Sequence, residues 1–250
     1  MQINKVSLFN YNTSGVSFGT TAREYIDPQT TYVMNQDSWM GRSDLNWKDF
    51  VKLLDKTFKQ KDKVNVHSLA CSDASEIYTL MLYLEYYSQN KDKYYPFTAA
   101  DKDSYIIEYV KKHLITISDS DWSRIPTISK SFFKKNQRPI KLENDSASYF
   151  YPQYFISPNL TKNVKFKTAE LMDELKNIKD SGNSVILCRN VFYYLKSNNK
   201  VRETAEIAGK KLKQGSLFII GDYDRKTKIS EYLEKNGFKQ IMHNVYQKVS

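Results

Sequence analysis

Val185-Ile-Leu-Cys-Arg-Asn-Val-Phe-Tyr-Tyr-Leu195 decides the fold. An apolar run stops at Cys188-Arg189-Asn190 and restarts as an aromatic segment. A strand covered by helices on both faces reads as a continuous hydrophobic run, and Val185 to Cys188 fits that pattern. The Arg-Asn pair then falls at the carboxyl end of the strand, where open α/β sheets place their ligands. A buried strand leading into an ordinary loop would look the same in isolation, so the other strand ends carry the weight.

They behave alike. Val64-Asn-Val-His-Ser-Leu-Ala70 breaks into Cys71-Ser-Asp-Ala-Ser-Glu76, followed by a buried-helix pattern from Ile77 to Tyr87 for which Ser72 or Asp73 is the expected cap. Pro96-Phe-Thr-Ala-Ala100 ends at Asp101, before an amphipathic helix carrying Tyr105, Ile106, Tyr109 and Val110. Strand, polar loop, helix, strand, acid is the opening of a nucleotide-type βαβ unit. An acid roughly 25 residues after the loop is placed to accept hydrogen bonds from ribose hydroxyls.

Further along, strands are expected at Val164-Lys-Phe166, Asn183–Cys188 and Ser216–Gly221, with helices at Ala169–Ile178, Val201–Leu212 and Lys226–Lys235. Asn236-Gly237 is a helix stop, and Phe238–Val249 reads as a hairpin around His243-Asn244. Upstream, Trp47, Phe50, Val51, Leu54 and Phe58 share one helical face. The stretch from Ile115 to Asn163 is aromatic and irregular, and is expected to be an inserted flap or extra helices. The class is therefore α/β: a doubly wound, mostly parallel sheet with a C-terminal antiparallel hairpin. Residues 1–60 are expected to be an extension whose helix packs on a main domain at 61–250, with the insertion at about 115–163.

Composition narrows the classes. With 40% hydrophobic residues in 250, the chain can bury one sizeable core. No window approaches a membrane span, and the first residues lack a signal-peptide pattern, so a cytoplasmic protein is expected. Two cysteines, Cys71 and Cys188, cannot build a disulfide framework. With three histidines and none spaced with a cysteine as a ligand pair, no metal site is expected. The net charge of +10 comes from lysines spread along the chain rather than gathered in a stripe, which reads as a solvated surface. A nucleic-acid partner is the lesser reading, resting on the basic, aromatic stretch from Lys130 to Phe155, with Lys134, Lys135, Arg138, Lys141 and Tyr149.

The element order with a hairpin last is similar to the class I S-adenosylmethionine-dependent methyltransferases, and within them the sequence resembles the CheR-type protein glutamate methyltransferases. Ala70-Cys-Ser-Asp-Ala-Ser-Glu-Ile-Tyr78 resembles their small-Cys/Ala-Ser-Thr-Gly-Glu-Glu-Pro-Tyr motif, and Ala99-Ala-Asp101 their Thr-Asp. Cys188-Arg-Asn-Val-Phe-Tyr-Tyr-Leu195 is close to Cys-Arg-Asn-Val-Leu-Ile-Tyr-Phe. Val164-Lys-Phe-Lys-Thr-Ala-Glu-Leu171 resembles Val-x-Phe-x-x-x-Asn-Leu, and Ser38-Trp-Met-Gly-Arg42 resembles Thr-x-Phe-Phe-Arg.

The resemblance implies S-adenosylmethionine as cofactor. Glu76 would hold its amino group and Asp101 its ribose, Glu170 and Leu171 would flank the adenine, and Asn190 and Val191 would lie near the sulfonium. Ser38 and Ala70 also fall at the cofactor, while Arg42 and Tyr194 would face the transferred methyl as catalytic residues. The implied partner is a methyl acceptor, a protein carboxylate being the expected kind. The sequence departs from the pattern at Ala74, where the family has its loop glycine, at Ser75, where it has the first of two acids, and at Glu170, where it has an amide. Those departures frame the alternative of a non-catalytic methyltransferase-like binding module; the second alternative is a nucleic-acid methyltransferase or binder. About 60 residues precede the first strand, fewer than the family's helical receptor-binding domain together with the arginine segment needs, so a receptor-methylating role is not expected.

Overall fold

The side chains of residues 185–188 alternate between two apolar layers. The computed structural model describes residues 23–26, 33–36, 40–117, 119–135, 140–141, 150–151, 153–180, 182–195 and 197–250. In it Val185 and Leu187 enter one cluster, Ile186 and Cys188 the other. Leu217 and Ile219 against Phe218 and Ile220 repeat the alternation. A period of two with every residue buried requires helices on both faces of the sheet.

The strands are β1 (Asn65–Leu69), β2 (Phe97–Asp101), β3 (Val164–Thr168), β4 (Ser184–Leu187), β5 (Leu217–Ile219), β6 (Phe238–Met242) and β7 (Val245–Lys248). They form one sheet in the order β3-β2-β1-β4-β5-β7-β6. Strands β1 to β5 pair in parallel, and β7 pairs antiparallel with both β5 and β6. The order runs one way from β1 to β3 and the other way from β4, so the reversal lies between β1 and β4. Their register, Ser184 on Asn65 through Leu187 on Ser68, brings both carboxyl ends to one crevice.

The helices are α1 (Trp47–Thr57), α2 (Ser75–Tyr87), α3 (Ser104–Val110), α4 (Leu171–Asn177), α5 (Asn198–Lys211) and α6 (Ile229–Lys235). α1, α2 and α3 supply one apolar cluster, and α4, α5 and α6 the other. The apolar face read from Trp47, Phe50, Val51 and Leu54 is buried, and Trp47 lies 6.4 Å from Tyr83 of α2. α2 is buried almost all round, consistent with its place between α1 and the sheet. On α3 the expected apolar face holds except at Tyr105, which is exposed. No helix among the described residues is long and apolar enough to cross a membrane.

The insertion differs from expectation in kind. It contains short helices, but also an antiparallel sheet of Leu114–Thr116, Gln153–Ile156 and Phe133–Lys135. Trp122 stacks on Tyr154 with centroids 4.6 Å apart, and Ile115, Ile117 and Ile125 join the main core. Strands of three or four residues carry too few alternations to be recognised from pattern. Ser38, Arg138 and Tyr149 lie outside the described residues.

At the amino ends of the strands, opposite the crevice, Asp180 ties β4 to β5. Its carboxylate accepts from the hydroxyls of Ser184 and Ser216, both at 2.7 Å, and from the N–H groups of Gly182, Asn183 and Lys213. Burial works against the charge, yet these donors outweigh it and hold the carboxyl below its usual range. Asp180→Ala is therefore expected to lower unfolding free energy by roughly 2–4 kcal/mol, measured by urea denaturation at pH 7. A loss under about 0.5 kcal/mol would remove Asp180 as a tie between the two strands.

Candidate active site

A cavity of about 430 Å³ opens at the crevice between β1 and β4. Pockets of roughly 300–1,000 Å³ suit ligands of cofactor size. Arg42, Ala70, Glu76, Asp101, Glu170, Leu171, Asn190, Val191 and Tyr194 all line it, so every sequence-predicted site residue among those described is brought to one place. A second cavity, of about 290 Å³, lies where α4 covers His67, Thr98 and Lys167, towards the amino ends of β1 and β2.

The loop after β1 forms one wall. Ala70, Ser72 and Ala74 have φ of 54°, 49° and 62°. Neither Ser72 nor Asp73 is the cap residue of α2: Ala74 holds that position, and Asp73 accepts the Ser75 N–H at 3.0 Å. Ala74 therefore takes up the left-handed backbone that favours glycine, but its methyl is buried in the core and does not line the cavity. That departure leaves the cavity open.

Asp101 ends β2. Its carboxylate accepts the Ser72 N–H and the Asp103 N–H, each at 3.0 Å. About four lone-pair positions are available to an ionised carboxylate, so two remain for a ligand. The cap of α3 is Asp103, which accepts from Tyr105 and Ile106. Asp101 is thus not the helix cap, although it ties the β1 loop to the end of β2.

Glu76, in the first turn of α2, lies among charges. Arg189 Nη1 is 3.2 Å from its Oε1 and Arg42 Nη1 is 3.9 Å from the same oxygen. Burial pushes the Glu76 carboxyl above the usual range, and the two guanidiniums act against that push. The Arg189 side chain is fully buried, pairs also with Asp44, and stacks over Trp47 at 4.9 Å. Arg42 is 4% exposed rather than a surface arginine. Trp47 Nε1 donates to its carbonyl at 2.9 Å, and the Gly41 N–H donates to Thr79 Oγ1 at 3.0 Å. The segment carrying Arg42 is therefore fastened to α1 and α2.

Asn190, at φ 56°, follows β4. Its Oδ1 accepts the Tyr223 N–H at 3.3 Å, which leaves the buried Nδ2 as an unpartnered donor. Gly221 makes room for this amide, since a Cβ there would overlap the Asn190 side chain and lie 2.7 Å from its backbone nitrogen. Tyr194 is 49% exposed at the cavity edge, not a core aromatic. Glu170 is exposed at the start of α4, and its side chain accepts no cap bond.

Sequence reasoning assigned no role to Arg189, Asp44, Gly221 or Asp224. Asp224 is fully buried and accepts the N–H groups of Asn190 (2.5 Å), Phe192 (2.8 Å), Gly221 (2.9 Å) and Tyr193 (3.3 Å). Burial raises its carboxyl to about 6 despite those donors. Arg189 could have been found, because it stands inside the most specific motif. Asp224 had no signal.

The donor set fits S-adenosylmethionine. A carboxylate with unused lone pairs suits ribose hydroxyls, and a carboxylate between two guanidiniums can take an ammonium while the guanidiniums take a carboxylate. The orphaned Asn190 Nδ2 supplies a further donor. The sequence matches the profile of the family described as CheR methyltransferase, SAM binding domain, over residues 42–242. Similar solved structures include the precorrin-6y C5,15-methyltransferase of Geobacter metallireducens, with TM-score 0.40 and 11% identity over 84% of this chain and 91% of that one. The bifunctional kinase-methyltransferase WbdD aligns with TM-score 0.48 and 8% identity over 84% of this chain and 40% of that one. An S-adenosylmethionine-dependent methyltransferase of Clostridium acetobutylicum aligns with TM-score 0.33 and 13% identity over 72% and 51%. No curated protein matches.

Two neighbouring acids separate binding from capping. Asp103→Ala is expected to cost about 1 kcal/mol of stability and to leave the affinity for S-adenosylhomocysteine unchanged. Asp101→Ala is expected to weaken that affinity roughly tenfold to more than a hundredfold in calorimetric titration. Equal affinities in the two variants would return Asp101 to a structural role.

The raised Asp224 carboxyl has a signed consequence. The folded state holds its proton to about pH 6, against an ordinary value of 3.8. Its contribution to stability is full below pH 3.8 and is lost as pH rises through about 6. Unfolding free energy measured against pH over this window should fall more steeply in the wild type than in Asp224→Asn; parallel curves would contradict it.

Proposed function

The chain belongs to the CheR methyltransferase family through its S-adenosylmethionine-binding domain, and on that footing we propose that it is an active enzyme methylating a carboxylate, on a protein acceptor. One observation carries the choice of acceptor. The described residues lining the cavity include two buried guanidiniums, Arg42 and Arg189, the groups that pair with a carboxylate. A hydroxyl or amine acceptor calls for a group that removes its proton, whereas a carboxylate is nucleophilic at neutral pH without one.

S-adenosylmethionine, when bound, supplies an electrophilic methyl group. The chain's own part is positioning. Asp101 would hold the ribose, and Glu76 the amino group, with Arg189 opposing the effect of burial on the Glu76 carboxyl and holding it in place. Asn190 Nδ2 would donate towards the cofactor, with Val191 beside it, and Ala70, Glu170 and Leu171 would complete its walls. Arg42 would clamp the acceptor carboxylate, lining up one oxygen with the methyl, and Tyr194 would close the acceptor side. Burial of Arg42 favours this, because a guanidinium shielded from water binds a carboxylate more strongly than an exposed one. The position of the Ala74 methyl, outside the cavity, weighs against a purely non-catalytic module.

The test uses S-adenosylmethionine labelled in its methyl group, with a cell protein extract as acceptor. A methyl ester releases volatile labelled methanol in mild alkali, and that release is the expected result. Label that stays on protein after alkali would rule out a carboxylate acceptor, and label on nucleic acid would favour the second alternative. Arg42→Lys, which keeps the charge and loses the fork, is expected to lower kcat/KM for the acceptor roughly tenfold to a hundredfold while S-adenosylhomocysteine affinity changes less than about threefold.

A further inference from the structure

The loops after β4 and β5 clasp one another through two reciprocal contacts. From the β5 side, the Asp224 carboxylate accepts three N–H groups of the β4 loop, those of Asn190, Phe192 and Tyr193. From the β4 side, Asn190 Oδ1 accepts the Tyr223 N–H. Asp224 is in turn fixed by its own turn: Thr227 Oγ1 donates to its carbonyl at 2.6 Å, and the Gly221 N–H returns to its carboxylate. Asp224 itself does not touch the cavity, since it is not among the lining residues. Of the residues it holds, Asn190 lines the cavity, as do Val191 and Tyr194 of the same loop.

We propose that Asp224 is the positioning residue of the cofactor site, holding the β4 loop preformed so that the Asn190 amide and Val191 meet the cofactor without reordering. The proposal rests on the cofactor reading given above. Four N–H donors converge on two oxygens, a geometry that only a carboxylate satisfies. An asparagine would offer one oxygen and turn an NH₂ group towards N–H donors, leaving buried donors unpaired. Asn190 explains why precision is needed. It is held at positive φ, which few non-glycine residues adopt, and with its oxygen committed to Tyr223 the buried Nδ2 is left as the amide's unpartnered donor. A binding loop that is already ordered avoids the ordering cost on association.

The experiment is calorimetric titration of S-adenosylhomocysteine into wild type, Asp224→Asn and Phe238→Leu, the last being a core substitution in β6 away from the cavity. Wild type should bind, Asp224→Asn should bind at least tenfold more weakly, and Phe238→Leu should bind like wild type even if its melting temperature falls as far. Equal affinity in wild type and Asp224→Asn would overturn the positioning role alone. Absence of wild-type binding would overturn the cofactor reading, and this inference with it. Should Asp224→Asn fail to fold, amide hydrogen exchange on the ligand-free wild type decides. The Asn190, Phe192 and Tyr193 amides should already be protected before ligand is added. Protection that appears only with S-adenosylhomocysteine would mean the ligand orders the loop, and the proposal would fall.

Discussion

The parallel pairing of β1 with β4 is the constraint on which the rest depends. Strand order reverses across this pair, so the loops leaving β1 and β4 diverge towards opposite halves of the sheet and cannot fill the space between them. The crevice is a consequence of topology, and what the sequence adds is its lining. Ala70 follows β1 directly, Asn190 comes after Cys188 and Arg189 beyond β4, and Asp101 enters from β2, one strand over. Apolar residues on both faces of β1 and β4 make this register expensive to change, since a slip of one residue would exchange the two layers.

Placing charges in that crevice has a cost which the surrounding structure offsets by pairing. Glu76, Arg42, Arg189 and Asp44 form two acids and two bases in close contact, with Arg189 wholly buried. A buried set of this kind rarely stabilises a fold relative to apolar side chains of the same volume. Its presence at the cavity is better understood through binding: a zwitterionic ligand can exchange into the set, its ammonium meeting Glu76 and its carboxylate a guanidinium, without leaving any member uncompensated. The Asp44 backbone also accepts from Asn244 Nδ2 at 3.0 Å, so the same network ties the segment bearing Arg42 to the turn between β6 and β7.

Much of this was legible in the sequence, for reasons that differ by element. β1, β2, β4 and β5 are apolar runs ended by polar residues, and the final hairpin turns at His243-Asn244, so the sheet could be read without its pairing. The small sheet in the insertion could not, because its strands are too short to show a period. At the site, residues adjacent to strand ends were legible by position. Asp224 was not, because its donors lie 31 to 34 residues away in the chain, apart from the Gly221 N–H, and only the fold brings them together. The conformation of Ala74 was equally hidden, since alanine gives no hint of a positive φ.

That conformation is shared. Ala70, Ser72, Ala74 and Asn190 all adopt left-handed backbone, and all belong to the two loops that flank the crevice. Each costs about 1–2 kcal/mol relative to ordinary backbone, so together they represent a strain that the packed sheet must overcome. The return is geometric. Positive φ at Ala70 and Ser72 accompanies a turn of the β1 loop in which the Ser72 N–H meets the Asp101 carboxylate. Glycine would relieve the strain but would widen the choice of conformations open to the loop. Side chains at these positions restrict it, and at Ala74 the methyl also fills the core. Strain in the backbone and the clasp formed by Asp224 thus act towards one end: walls of the cavity that are already in place before anything binds.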